Sequence, residues 1–366
     1  MAGPRIVRET AGASALPTEV VRVTAGVAAA AHETVAVEEP LEIHLNGWRW
    51  LITMRTPGSD VDLVLGMLAS EGVITSAAEV EHVQFERHPE EPDMANVVSV
   101  HLAHSLGALQ ERLARHQSLA ASSCGLCGAS SVSAILQRRP PLAPGPVVDA
   151  RLLPLLPARL LTAQAAFAST GGLHGAGLFD ATGALVLARE DVGRHNAVDK
   201  AIGACLRSGA VVPPILLVSG RASFEIVQKA LVAAIPIVAA VSAPSSLAVS
   251  LAAEGAMTLA GFVRNGGYNV YAGAERLRTA GDREDPDAAP NDPLAFIPRA
   301  MRTVLDEVRY KISLADWRAL TRPERLRLVT LSEHAVPEDF AAYLVDRVTE
   351  RTGTAPRRLA SADGTA

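Results

Sequence analysis

Between Asn196 and Ala260 the chain alternates helix-compatible stretches with short apolar runs, and this alternation constrains the fold more than any other feature. The runs Ile215–Val218, Ile235–Val241 and Met257–Ala260 are almost continuously apolar, as strands buried on both faces are. Asn196–Leu206, Ala222–Ala233 and Ser246–Glu254 have helical spacing. Such β-α-β repetition implies parallel pairing with right-handed crossovers, so an α/β class is predicted.

Ligands of open parallel sheets bind beyond the carboxyl ends of the strands, which directs attention to the loops. After the first run comes Ser219-Gly220-Arg221-Ala222-Ser223, and after the second Ser242-Ala243-Pro244-Ser245-Ser246. Hydroxyls and backbone N–H groups in such turns cradle phosphates, and an arginine such as Arg221 grips phosphate through two parallel donors. Neither loop is a Walker motif or a G-x-G-x-x-G fingerprint. Gly261-Phe-Val-Arg264-Asn-Gly-Gly-Tyr268 follows the last run and offers a further basic, glycine-rich contact.

Upstream, Asp191, His195 and Asp199 fall four apart and are expected on one helix face, opposite Val198 and Ile202. That helix opens at Gly193-Arg194, where an anion has a ready site; a merely solvated face is the alternative. His174 stands among glycines in Thr170-Gly-Gly-Leu-His174-Gly-Ala-Gly177, open to a ligand or simply a turn histidine.

The sharpest local motif is Ser122-Ser-Cys124-Gly-Leu-Cys127-Gly128. Helix-compatible residues follow, so both thiols are expected near a helix N-terminus, which favours the reactive thiolate. Unreactive turn thiols, a zinc site and thiol chemistry (disulfide exchange or sulfur carriage) compete here. A deaminase-like zinc site wants His-x-Glu before Pro-Cys-x-x-Cys; His88-Pro-Glu90 has the letters, but Ser123 stands where proline is required. No metal ligand set is therefore assigned. Cys205 shares helical spacing with Val198 and Ile202 and is expected to be a packed core thiol.

The rest of the chain reads as follows. Residues 1–18 are expected to be a loose tail and 19–278 one domain. Within it, Asn46-Gly47 marks a β-hairpin over Leu41–Thr53, Ser59 and Asp60 cap a helix ending near Ser70, and Val80–Phe85 and Val97–Leu102 are strand-like. The prolines between Pro140 and Pro157 predict an irregular connector. An acidic linker occupies 279–293, a small helical unit 294–351 and a disordered tail 352–366. The net charge of −5 argues against binding nucleic acid or membrane by bulk charge, and 4% aromatics against stacking on single strands. The longest apolar run, Ala230–Val241, is too short to span a bilayer and contains Pro236. Three cysteines make no disulfide framework, so a reducing, cytoplasmic setting is expected.

In order, the segments EEPLEIHLNG, DVDLVLGMLASEGVI, SSCGLCG, TGGLHGAGLF, REDVGRHNAVDKAIG, SGRASFEIVQKA, AVSAPSSLAV and GFVRNGGYNVY resemble the FdhD/NarQ family of formate dehydrogenase accessory sulfurtransferases, from about Glu38 to Ala272. The resemblance implies a cytidine-deaminase-like α/β/α sandwich with a mixed sheet, usually dimeric. It implies that a cysteine desulfurase donates sulfane sulfur, that Cys124 carries it as a persulfide with Cys127 assisting, and that the acceptor is molybdenum bis(molybdopterin guanine dinucleotide) bound for formate dehydrogenase. It associates Phe262, Val263, Arg264, Asn265, Gly266 and Gly267 with binding that cofactor, whose nucleotide half GDP would mimic. Ser219, Gly220, Arg221, Ser223, His174, Arg194 and His195 join them as expected contacts from their loop positions. Family members often carry a second basic or polar residue where this chain has Gly267, which leaves one phosphate contact to be supplied elsewhere. Phe296-Ile-Pro-Arg-Ala-Met301, Val308–Trp317 and Thr321–Arg325 resemble a small nitrate-reductase-associated family, with Tyr310 and Trp317 expected in its core. Rival expectations are a non-catalytic cofactor chaperone, a dithiol oxidoreductase and a zinc deaminase.

Overall fold

The computed structural model describes residues 5–7, 12–86, 96–105, 107, 140–264, 266–279, 294, 297–334 and 336–359. It divides into two units, Met1–Arg278 and Thr279–Ala366.

The first unit begins with β1 (Arg5–Val7), β2 (Ala15–Thr24), β3 (Val27–Ala36), β4 (Glu39–Leu45), β5 (Trp48–Arg55), α1 (Asp60–Ser70), β6 (Val80–Glu86) and β7 (Val97–Leu102). It continues with β8 (Val148–Asp149), α2 (Leu156–Ala163), α3 (Ala165–Thr170), β9 (His174–Phe179), β10 (Leu185–Asp191), α4 (Arg194–Ser208) and β11 (Ile215–Val218). It closes with α5 (Phe224–Val232), β12 (Ile237–Ala240), α6 (Ser246–Glu254), β13 (Thr258–Arg264), β14 (Gly267–Ala272) and β15 (Leu277–Arg278).

The central sheet has the order β10-β9-β11-β12-β13-β14. Pairing is parallel across β11, β12 and β13 and antiparallel at both flanks, so the sheet is mixed. Its inner strands β9, β11, β12 and most of β13 are buried on both faces. Leu178, Leu216, Val218 and Val238 face α4, α5 and α6, whereas Phe179, Ile215, Leu217 and Ile237 face α2 and the 3-10 turn before it. The result is an α/β/α sandwich with a mixed sheet: the α/β class follows from the apolar runs, and the sandwich is the one the family resemblance implies. A second sheet, β1-β6-β7-β4-β5, packs Leu41, Ile43, Leu45, Val98 and Val100 on α1. Its β4–β5 hairpin turns at Asn46-Gly47 with φ of 49° and 81°, the left-handed pair that a two-residue hairpin requires.

The helices α1 and α4 join the two sheets. A Cβ on Gly66 would lie 1.9 Å from the Asp199 carbonyl oxygen, and one on Gly203 would lie 1.8 Å from that of Asp62. Only glycine at both positions lets the backbones touch. Every residue of α4 from Asn196 to Cys205 is buried, so its polar side chains must find partners inside. Lys200 Nζ lies 2.7 Å from Asp191 Oδ2 and donates to the Thr56 carbonyl at 2.8 Å. Asp199 accepts from Lys229 at 2.8 and 2.9 Å and from Ser70 at 2.8 Å. Asp62 of α1 is held by Arg189 and Arg207.

Several local expectations differ from the structure. The stretch expected as a loose N-terminal tail contains β1, which pairs parallel to β6, and the start of β2. The β2–β3 ribbon pairs with neither main sheet and exposes Leu16, Val21, Val23 and Val27. Ser59 does not cap α1 through its side chain; its backbone is left-handed, with φ of 56°, rather than the extended conformation of a capping serine. The proline-rich connector is partly regular, because Pro154 lies in a 3-10 turn and Pro157 in the first turn of α2, where the missing N–H costs nothing.

The second unit contains α7 (Arg299–Glu307), β16 (Tyr310–Lys311), α8 (Leu314–Ala319), α9 (Arg322–His334), α10 (Pro337–Thr352) and β17 (Arg357–Arg358). Trp317 is fully buried and its indole N–H donates to the Leu294 carbonyl at 2.8 Å. Phe340, Leu344 and Val348 of α10 complete this core. Within the tail expected to be disordered, β17 pairs antiparallel with β16. No helix among the described residues is long and apolar enough to cross a membrane.

Candidate functional site

One edge of the central sheet gathers most of the residues singled out in the sequence. β11, β12 and β13 end there, β9 starts there and β10 ends there, with Val218 opposite Ala176 and Asp191 opposite His174. The three exit loops are stitched side by side: Ser242 N–H donates to the Gly220 carbonyl at 3.3 Å and Phe262 N–H to that of Ser242 at 3.1 Å. Ser219 closes the other side, its N–H donating to the Gly175 carbonyl and its hydroxyl accepting from Gly175 N–H, both at 2.9 Å. The Ser219 hydroxyl therefore holds the loop.

Asp191 fixes where α4 begins. Its carboxylate accepts from the N–H groups of Thr56 at 3.2 Å and Gly193 at 2.8 Å and from the Asn196 side chain at 3.2 Å. Asp191 thus ends β10 and does not lie on the helix face expected for it. Asp199 is turned inward to Lys229, and of the three residues at fourfold spacing His195 alone keeps partial exposure. Arg194 and His195 occupy the first turn, where unpaired N–H groups attract anions. Arg194 Nε is buried with no hydrogen-bond partner among the described residues. A buried guanidinium donor left open in this way is suited to an incoming oxyanion.

The imidazoles lie beside it. A Cβ at Gly220 would meet His174 Nδ1 at 3.3 Å, so the glycine lets the ring rest against the turn. Burial, then the charge of Arg194, lowers the pKa of His174 against the pull of Asp191. His195 Nε2 lies 3.1 Å from Ser223 Oγ and 3.7 Å from a carboxylate oxygen of Glu225. Burial and then Arg194 push His195 down to about 4, with Glu225 opposing. Ser223 and Ser245 occupy the cap positions of α5 and α6; Ser245 accepts from Ala248 N–H, but Ser223 turns to His195 and Glu225 instead.

A histidine lowered on folding stabilises the protein fully above its unfolded pKa. As pH falls from 6.5 towards 4, the unfolded chain takes the proton first, so this contribution is lost across that window. Since 34% of the side chain remains exposed, solvent screening limits it to about 1–2 kcal/mol. NMR titration is expected to find His195 neutral at pH 6 and titrating near 4. In Arg194→Ala the value should rise; an unchanged titration would refute the role given to that guanidinium.

The loop after β13 holds the remaining residues singled out at this edge. Arg264 is exposed, its guanidinium 5.9 Å from the centroid of the Phe262 ring, and Phe262 has a φ of 55° at a bulge in the β13–β14 pairing. Val263 is fully buried in the core beneath, so its side chain anchors the loop. Gly266, with a φ of 112°, and Gly267 would meet nothing with an added Cβ. Arg221 is exposed at the first exit loop. Asn265, Cys124, Cys127 and the His88–Glu90 stretch lie outside the described residues. Among the described residues no group of three or more His, Cys, Asp or Glu side chains is arranged to hold a metal ion. Cys205 is buried as expected, and burial raises its thiol pKa.

Sequence reasoning passed over two residues of this edge, Glu225 and Lys229. Their spacing of four would pair them along α5, yet Lys229 reaches back to Asp199. The available signal was the cap-like Ser223 followed by an acidic residue in the first helical turn.

The model of the FdhD/NarQ family matches residues 36–278, and that of the conserved nitrate reductase-associated proteins matches residues 287–366. "Sulfur carrier protein FdhD" of Nocardia farcinica is 47% identical over 266 residues, covering 71% of this chain and 94% of that protein. Its namesake from Streptomyces coelicolor is 48% identical over 267 residues with the same coverage. A crystal structure from Desulfotalea psychrophila, of a protein assigned as a formate dehydrogenase accessory protein, superposes with a TM-score of 0.57 at 25% identity, covering 73% of this chain and 100% of the other. The matched region contains the central sheet, the second sheet apart from β1, and the whole loop-bearing edge, and the chain belongs to the FdhD/NarQ family.

Proposed function

We propose that this chain is a sulfur carrier serving formate dehydrogenase. Cys124 takes sulfane sulfur from a cysteine desulfurase and passes it to molybdenum bis(molybdopterin guanine dinucleotide), the cargo held at the loop-bearing edge. In the loading step the Cys124 thiolate attacks the outer sulfur of the donor's persulfide, the donor's S–S bond breaks and the donor leaves as a thiolate. No net oxidation occurs.

The observation that carries this reading is the convergence of Arg194, with its open buried Nε, on the α4 N-terminus beside Gly220, His174 and Ser223. That is a site for a phosphate-bearing ligand, in a family whose relatives carry the name sulfur carrier. Arg221 and Arg264 on neighbouring exit loops supply further cationic contacts. These local charges serve the ligand although the chain as a whole is acidic. Thiol chemistry of this kind belongs in the reducing cytoplasm. The exposed apolar β2–β3 ribbon supports a homodimer, because a two-stranded ribbon is marginal unless covered.

The test is mass spectrometry of the full chain incubated with a cysteine desulfurase and cysteine, together with calorimetric titration of GDP. The expected result is one added sulfur on the peptide bearing Cys124, removable by reductant, and saturable GDP binding lost in Arg194→Ala. An unmodified Cys124 peptide, with a Cys124→Ala chain that still activates formate dehydrogenase, would leave a cofactor chaperone in its place. A Cys124–Cys127 disulfide that reduces protein disulfides without carrying sulfur would leave an oxidoreductase.

A further inference from the structure

We propose that Glu225 selects guanine at this site, its carboxylate receiving the N1–H and exocyclic N2–H of the base while Arg194 holds the phosphates. The inference rests on the sulfur-carrier reading with its guanine-nucleotide cargo and assigns the part of the site that reading leaves open.

A carboxylate on an edge lined by Arg194, Arg221 and Arg264 is out of place if the edge meets only phosphate. Asp191, the other carboxylate here, is fully buried and its oxygens are committed to Thr56, Gly193, Asn196 and Lys200. Glu225 differs: half of its side-chain surface is exposed, and it sits in the first turn of α5 directly after the Ser219–Ser223 loop. Its nearest side chains are the Ser223 hydroxyl, which hydrogen-bonds to it, and His195 Nε2 at 3.7 Å, beyond hydrogen-bond reach. An ionised carboxylate has about four acceptor positions; the Ser223 hydroxyl and the backbone N–H of Glu225 itself take two, which leaves a pair for a ligand.

A ligand that satisfies them must bring paired donors. Guanine presents N1–H and N2–H side by side, at a separation that matches the two oxygens of a carboxylate, whereas adenine presents an acceptor at N1. His195 lies 3.7 Å from the Glu225 carboxylate, and the charge of Arg194 acts on both, so phosphate and base contacts are offered close together. Hydrogen-bonding sites reject an analogue lacking the donor because their own polar group is then left unpaired.

The test is calorimetric titration of the full-length chain and of Glu225→Gln with GDP, inosine diphosphate, xanthosine diphosphate and pyrophosphate. Inosine lacks the exocyclic amine; xanthine has a carbonyl in its place. The wild-type chain is expected to prefer GDP over inosine diphosphate by roughly tenfold or more. Glu225→Gln should lose roughly 10- to 100-fold for GDP and bind xanthosine diphosphate more tightly than the wild type does, because the amide N–H now donates to the 2-carbonyl. Pyrophosphate affinity should stay unchanged. The gain for xanthosine diphosphate cannot come from damage to the fold. A Glu225→Gln chain with the wild-type ratio of GDP to inosine diphosphate affinity would overturn this assignment alone. A wild-type chain that binds no guanine nucleotide would overturn the cargo reading and this one together.

Discussion

Gly203→Ala is expected to cost the first unit about 4 kcal/mol or more, a large part of the 5–15 kcal/mol that holds a typical domain folded. The added methyl would sit 1.8 Å from the Asp62 carbonyl oxygen and 2.7 Å from Gly66 N, both backbone atoms that no rotamer change can move aside. To reach ordinary contact, α1 and α4 must part by roughly 1.5 Å. Parting them opens the interface along which Ser70 meets Asp199 and Arg207 meets Asp62, so buried charges lose partners as well as packing. Gly66→Ala is expected to do the same, since its Cβ would strike the Asp199 carbonyl at 1.9 Å. Gly209→Ala is the control: its φ of 65° makes alanine costly by about 1–2 kcal/mol, but nothing lies within 4 Å of the new methyl. Urea denaturation followed by circular dichroism should place both helix-crossing variants far below wild type, with Gly209→Ala between. A Gly203→Ala chain within 1 kcal/mol of wild type, about one factor of five in the folding equilibrium, would refute backbone contact between the helices.

The glycine pair shows why part of the fold is not legible in sequence. The apolar runs of β11, β12 and β13 announce themselves because burial on both faces demands continuous apolar character. Asn46-Gly47 is equally readable, since few dipeptides tolerate its dihedrals. Gly66 and Gly203 belong to helices more than a hundred residues apart, and neither helix alone says that the other will approach it. Polar residues mislead for a related reason. Asp199 and Lys200 in the middle of α4 look like a solvated face, but they are buried because Lys229 and Asp191 come from other elements to meet them. Long-range pairing of this kind leaves no local pattern.

The candidate site was legible to the extent that strand-loop-helix units dictate it. Ser219–Ser223, Arg194 and Arg264 fall at one edge because β11 and β13 run parallel and β10, across β9 from β11, runs the same way and ends at the same edge. What each side chain does there depended on geometry that spacing does not encode. The Ser219 hydroxyl is taken by Gly175, Val263 points into the core, and Glu225, passed over in the sequence, stands half exposed beside His195. Loops of this kind give position to residues reliably and chemistry to them only once neighbours are known.

Cys124→Ala is expected to abolish both persulfide formation and activation of formate dehydrogenase, whereas Cys127→Ala should load sulfur normally and fail at delivery. The difference follows from electron count. Sulfane sulfur moves from one thiolate to another without change of oxidation state, so loading needs a single thiol. Delivery as sulfide adds two electrons to the transferred sulfur, and a thiol attacking Cys124 Sγ supplies them: the new S–S bond joins the two cysteines as the old one breaks and the sulfide departs. Cys127, three positions along the chain from Cys124, is the nearest cysteine in the sequence. A short tether gives a thiol an effective concentration in the millimolar range, so free dithiol at about 10 mM should restore delivery to Cys127→Ala. It cannot rescue Cys124→Ala, which has no loaded sulfur to release. Parallel measurement of bound sulfane sulfur, released sulfide and formate dehydrogenase activity separates the two variants. If Cys127→Ala delivers at the wild-type rate without added thiol, the electron pair comes from elsewhere, and Cys127 has no part in the transfer.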